Sequence, residues 1–118
     1  MTEPKRTPLY ETHRRLGARM VEFAGFAMPV HYTSILDEHA AVRERAGLFD
    51  VSHMGQIYFS GPNALATTER LLTCPVASLP QGAVRYGLLC NESGGVVDDV
   101  TVYRLGEQAL FLCVNAAN

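Results

Sequence analysis

Two adjacent aspartates, Asp98 and Asp99, stand inside the valine-rich run Val96 to Arg104. Acidic residues are depleted from strand interiors, so a strand carrying two of them needs a reason. Side chains alternate along a strand. Val97, Asp99, Thr101 and Tyr103 therefore share one face, and Val96, Asp98, Val100, Val102 and Arg104 share the other. The second face, with three valines, is the core side. The first would set a carboxylate and a phenol a few ångströms apart on one surface. A structural reading competes with this one: both aspartates flank the preceding turn and accept its backbone N–H groups.

The remaining chemistry-bearing residues are thinly spread. His13, His31, His39 and His53 lack metal-ligand spacing. Ser52 and His53 would point to opposite sides of a strand, which disfavours a nucleophilic pair. Gly94-Gly95 reads as a turn, and the chain has neither GxGxxG nor a P-loop. Cys74, Cys90 and Cys113 form no CxxC pair and are odd in number, so reduced thiols are expected. Cys90 and Cys113 lie in apolar stretches and read as small core residues.

Composition narrows the class. The 118 residues allow one domain with one core. At 47% hydrophobic and 19% charged residues the chain is globular rather than disordered. A formal charge of −2 offers no basic footprint for nucleic acid or anionic lipid. No apolar run approaches the roughly 18 residues of a membrane span. The basic N-terminus lacks the apolar stretch of a secretory signal.

The elements that must position Asp99 follow from pattern. The first ten residues, with Pro4 and Pro8, read as a loose lead-in, and Met20 to Phe26 as a short strand. A helix is expected from Ser34 to Ala46, capped by Ser34 with Asp37, showing Ile35, His39, Val42 and Ala46 on one face and stopping at Gly47. A strand from Leu48 to Phe59 follows, with Gly55 at a bulge or close backbone approach. Gly61-Pro62 opens a second helix with Leu65, Leu71 and Leu72 as its apolar side. Three strands complete the pattern: Val84 to Cys90, Val96 to Arg104 and Ala109 to Asn115, with turns at Asn91–Gly95 and Leu105–Gln108. Helices beside antiparallel hairpins give an α+β class.

Several segments together resemble one family. They include Thr7-Pro8-Leu9-Tyr10-Glu11, Phe23-Ala24-Gly25 and Tyr32-Thr33-Ser34-Ile35. The most specific are Gly47-Leu48-Phe49-Asp50-Val51-Ser52-His53-Met54-Gly55, Gly94-Gly95-Val96-Val97-Asp98-Asp99 and Val114-Asn115-Ala116-Ala117-Asn118. In this order they resemble the N-terminal part of the glycine cleavage system T-protein, an aminomethyltransferase. The resemblance implies that residues 1–118 are the N-terminal portion of a tetrahydrofolate-binding domain within a longer chain. It implies transfer of a methylene group from the aminomethyl-lipoyl arm of the H-protein to tetrahydrofolate, with release of ammonia. It makes Asp99 the catalytic carboxylate and Met54, Tyr86, Tyr103 and Asn115 the folate-contacting residues. It implies no metal, no nucleic acid and no membrane. The location would be cytoplasmic in a bacterium or the mitochondrial matrix in a eukaryote. Related readings are a folate-dependent demethylase, a folate domain like that of dimethylglycine or sarcosine dehydrogenase, and a non-catalytic folate-binding module.

That assignment makes a geometric demand. Asp99, Tyr86 and Asn115 must face one cavity from three strands. Residues directly opposite in a hairpin share a face. Asp99 opposite Asn115 puts Tyr103 opposite Phe111, and Tyr86 reaches Asp99's face only in one parity of the first hairpin. A slip of one residue in either hairpin would break the set.

Overall fold

The computed structural model describes residues 3–118. The chain divides into two compact units, with the boundary between His53 and Met54.

The first unit comprises β1 (Lys5–Arg6), α1 (Tyr10–Arg15), β2 (Arg19–Phe23), β3 (Phe26–His31) and α2 (Ile35–Glu44). β2 and β3 form a hairpin over Ala24 and Gly25, at φ 51° and 77°. Two left-handed residues are what the tightest hairpin turn requires. β1 pairs in parallel with the other edge of β3, and Lys5 N donates to Gly25 O at 2.8 Å. Residues 5–7 are therefore not part of a loose lead-in, whose first two residues lie outside the described ones: the open edge of β3 captures Lys5–Arg6, and Thr7 is buried.

Ser34 caps α2 as expected, its Oγ accepting from Asp37 N at 3.1 Å and donating to Asp37 Oδ2 at 2.6 Å. The helix ends at Glu44, short of Ala46. Gly47 is not a left-handed stop. It is small because a Cβ there would lie 2.5 Å from Val42 Cγ2. Ile35, His39 and Val42 of the helix line a cavity of about 600 Å³ together with Ala46, which lies beyond the helix, Val30 and Phe49. No residue of α2 is buried.

The second unit holds β4 (Gly55–Ser60), α3 (Ala64–Leu71), β5 (Val84–Cys90), β6 (Val96–Gly106) and β7 (Ala109–Val114). Its four strands form an antiparallel sheet in the order β4-β7-β6-β5. One sheet face is the core: Val100 and Val102 of β6 and Leu110 and Leu112 of β7 pack with Ala64, Leu72, Val76 and Leu79. Each such leucine or valine contributes about 1.5–3 kcal/mol on burial. Thr68 is fully buried among them, its hydroxyl donating back to Ala64 O at 2.8 Å.

Differences from the sequence pattern have local causes. The strand expected from Leu48 begins only at Gly55, because Asp50 Oδ1 accepts from Ser52 N and turns the chain. Gly55 is the close approach that its residue type suggested: a Cβ would meet Val114 Cγ2 at 2.5 Å. α3 starts at Ala64, after a turn in which Gly61 has φ 105°. It buries Ala64 and Thr68, with Leu65 packed beside them, while Leu71 faces outward. β6 runs on to Gly106, so its turn narrows to residues 107–108, and β7 stops at Val114, one residue before Asn115. Cys90 is exposed rather than in the core, and all three cysteines are free. The α+β class holds, with β1 as a parallel addition. Among the described residues no helix is long and apolar enough to cross a membrane.

Candidate active site

The two hairpins adopt the registers that a shared face demands. β6 and β7 pair Thr101 with Cys113 and Tyr103 with Phe111. β5 and β6 pair Tyr86 with Thr101 and Val84 with Tyr103. The irregularity between Leu89 and Cys90 lies nearer the turn and leaves this parity intact. Tyr86, Asp99, Thr101, Tyr103, Phe111 and Cys113 consequently occupy the face opposite the core. Cys113 is thus half-buried on the site side, where its apolar neighbours had suggested the core.

Asp99 is held from two sides. The Tyr86 hydroxyl donates to Oδ2 at 3.4 Å, long for such a bond and chiefly electrostatic in effect. Desolvation, then the Asp99 carboxylate, push the Tyr86 phenol above its ordinary value, so it stays a donor at neutral pH. On the other side Asn115 Nδ2 donates to Asp99 Oδ1 at 3.0 Å and to Asp99 O at 2.9 Å.

Asp98 points the other way, into the core face, and is 4% exposed. It accepts from Asn115 N at 3.0 Å, Asn115 Nδ2 at 2.8 Å, Asn118 Nδ2 at 2.7 Å and Asp99 N at 2.9 Å. Burial pushes its carboxyl up, but these donors outweigh it and hold the group below the usual carboxylate range. The turn-flanking reading of the two aspartates fails for Asp98: apart from Asp99 N, its partners come from the segment after β7.

Comparisons with known proteins identify the family. Residues 9–118 match the model of the GCVT N-terminal domain. The chain belongs to this family. It is 60% identical over 114 residues to an aminomethyltransferase of Rubrobacter xylanophilus, covering 97% of this chain and 30% of that protein. It is 52% identical over 114 residues to an aminomethyltransferase of Halothermothrix orenii, covering 97% of this chain and 32% of that one. The crystal structure of glycine cleavage system aminomethyltransferase T from Bartonella henselae superimposes with a TM-score of 0.93 at 43% identity, over 97% of this chain and 32% of that chain. The chain thus spans about a third of the length of these relatives.

Within this GCVT domain the other expected contacts lie farther from Asp99. Tyr103 is two positions along its face, about 13 Å away at strand rise. It packs on Phe111 at 5.2 Å between ring centroids, and Phe111 packs on Tyr58 of β4 at 5.0 Å. Phe111 was legible as the partner of Tyr103. Tyr58 was missed, although β4 is the strand that its register with Phe111 identifies. Met54 is half-buried immediately before Gly55, whose partner Val114 immediately precedes Asn115. Met54 and Asn115 therefore stand at the same end of the sheet. The expected cavity is an open sheet face here: Tyr86 is 60% exposed and Tyr58 66%.

The first unit contains a buried polar cluster that the scattered histidines did not announce. His13 is 5% exposed. Its Nε2 meets Asp50 Oδ2 at 2.8 Å and its Nδ1 meets the Tyr32 hydroxyl at 2.7 Å. A carboxylate only accepts, so Nε2 carries the proton. Thr7 Oγ1 also donates to Asp50 Oδ2 at 2.8 Å. Burial pushes the Asp50 carboxyl up, but its donors outweigh it and hold the group far below the usual carboxylate range.

Proposed function

We propose that this chain is the N-terminal portion of the tetrahydrofolate-binding domain of a glycine cleavage aminomethyltransferase. The observation that carries the reading is Asp99, held between Tyr86 and Asn115 on the sheet face opposite the core. The family, and relatives that are themselves aminomethyltransferases, support it. The substrates are tetrahydrofolate and the aminomethyl group on the lipoyl arm of the H-protein. The bonds from the methylene carbon to sulfur and to the amine break. Two bonds to folate nitrogens form. Ammonia, the free thiol and 5,10-methylenetetrahydrofolate leave.

Asp99 forms no covalent bond in this scheme. Its carboxylate orients the attacking folate nitrogen, takes up its proton and stabilises the cationic character at the transferring carbon. Tyr86, Tyr103 and Met54 offer apolar surface to the folate rings, and Asn115 binds a ring edge. Orientation of two substrates on one surface supplies much of the acceleration. The bacterial relatives support a cytoplasmic setting.

The test is Asp99→Asn in the full-length protein, assayed for 5,10-methylenetetrahydrofolate formation from aminomethyl-H-protein. Loss of about 10²–10⁴-fold in turnover is expected for a proton-handling carboxylate. Undiminished turnover refutes the catalytic assignment. Folate binding without turnover in the unmodified protein would make the domain a binding module.

A further inference from the structure

Resting on that reading, we propose that Asp98 is the positioning residue of the site: from the core side it fixes the Asn115 amide, and the amide fixes Asp99. Asp98 alternates to the core face and is 4% exposed, so it does not itself present its carboxylate to a substrate. It reaches the site through bonds instead. One oxygen holds Asn115 N and the other holds Asn115 Nδ2, so backbone and side chain of that residue are gripped together.

The orientation of the amide follows. Asn115 Nδ2 has three neighbours within hydrogen-bond distance, Asp98 Oδ1, Asp99 O and Asp99 Oδ1. Each is an oxygen that only accepts, so nitrogen and not oxygen points inward. Two amide hydrogens serve three acceptors, which leaves no donor for a substrate. Asn115 Oδ1 is the atom left to face outward, beside the Asp99 carboxylate. The site end therefore presents acceptors, suited to a substrate edge that carries N–H groups.

The choice of a carboxylate at position 98 is otherwise unexplained. An apolar side chain would pack with Val100 and Val102 without the desolvation that a buried charge incurs. Its four donors all come from Asp99 and from the segment after β7, the residues that form this end of the site.

The experiment is Asp98→Asn in the full-length protein, with two readouts. The first is steady-state kinetics per folded molecule. A positioning role lowers kcat by about 10- to 100-fold, as for loss of a hydrogen bond to a charged group. It raises KM for tetrahydrofolate and leaves KM for aminomethyl-H-protein unchanged. A merely structural role lowers the folded fraction and moves neither KM, and that result overturns the proposal. The second readout needs no substrate: the side-chain NH₂ pair of Asn115, seen by NMR in protein labelled with ¹⁵N-asparagine. The pair should be slow to exchange in the unmodified protein and fast in the variant. If Asp98→Asn does not fold, the unmodified protein decides, because an Asn115 pair exchanging like a free surface amide overturns the proposal. Absence of folate turnover in the unmodified protein would refute the functional reading while this second readout still tests Asp98.

Discussion

Replacing Asp50 by alanine removes the acceptor at the centre of the buried cluster in the first unit. The Asp50 side chain is 1% exposed and that of His13 6%. Three donors lose their partner: His13 Nε2, Thr7 Oγ1 and Ser52 N. Ser52 is exposed, so its N–H returns to water at little cost. His13 and Thr7 are each 5% exposed, and their donors stay buried. An orphaned buried donor costs about 1–3 kcal/mol, so the two together cost about 2–6 kcal/mol. The assay is urea unfolding of the full-length protein by far-ultraviolet circular dichroism, since this chain contains no tryptophan. His13→Ala and the double variant complete a cycle. Much of the loss is the orphaned histidine, so the double variant should be less destabilised than the two single losses added together. Strict additivity, or a loss below about 1 kcal/mol for Asp50→Ala, would refute a coupled buried pair.

Two further outcomes follow from the same physics. Asp50 and Asp98 are both held below the ordinary carboxylate value, while in the unfolded chain an aspartate titrates near ~3.9. A depressed folded value means the stabilisation is complete above about pH 4 and is lost as pH falls through the folded values. Melting temperature should therefore drop steeply below about pH 4, and Asp50→Ala should flatten that drop; an unchanged acid slope would contradict it. Gly87→Ala would bring a Cβ to 2.6 Å from Cys74 Sγ. Overpacking of this kind costs about 1–3 kcal/mol, and Cys74→Ala should recover part of it in a thermal melt.

Legibility from the sequence tracked how local each determinant was. β5 was read to the residue, because turns at Gly82 and Asn91 bound it. α2 was legible at its start, where Ser34 and Asp37 lie three residues apart and bond directly. Its end was not: Gly47 is small for the sake of Val42, a packing reason that residue type does not distinguish from a left-handed stop. β1 was invisible because Lys5 and Arg6 carry no strand pattern, and only the unpaired edge of β3 makes them one. The strand from Leu48 was overextended because one Asp50 oxygen turns the chain, and a single side-chain acceptor leaves no periodic trace.

The candidate site was legible for a stricter reason. Side-chain period two makes a register either right or wholly wrong. Requiring Asp99, Tyr86 and Asn115 on one surface therefore fixed both hairpins, and each carries the parity required. The same period explains what stayed hidden. It assigns Asp98 and Asp99 to opposite faces, so a face-based argument discards Asp98 as core while keeping its neighbour. Only the hydrogen bonds to Asn115 rejoin them. Two adjacent aspartates are thus joined through one residue: the buried carboxylate of Asp98 holds the Asn115 amide, and the amide holds the Asp99 carboxylate on the open face of the sheet.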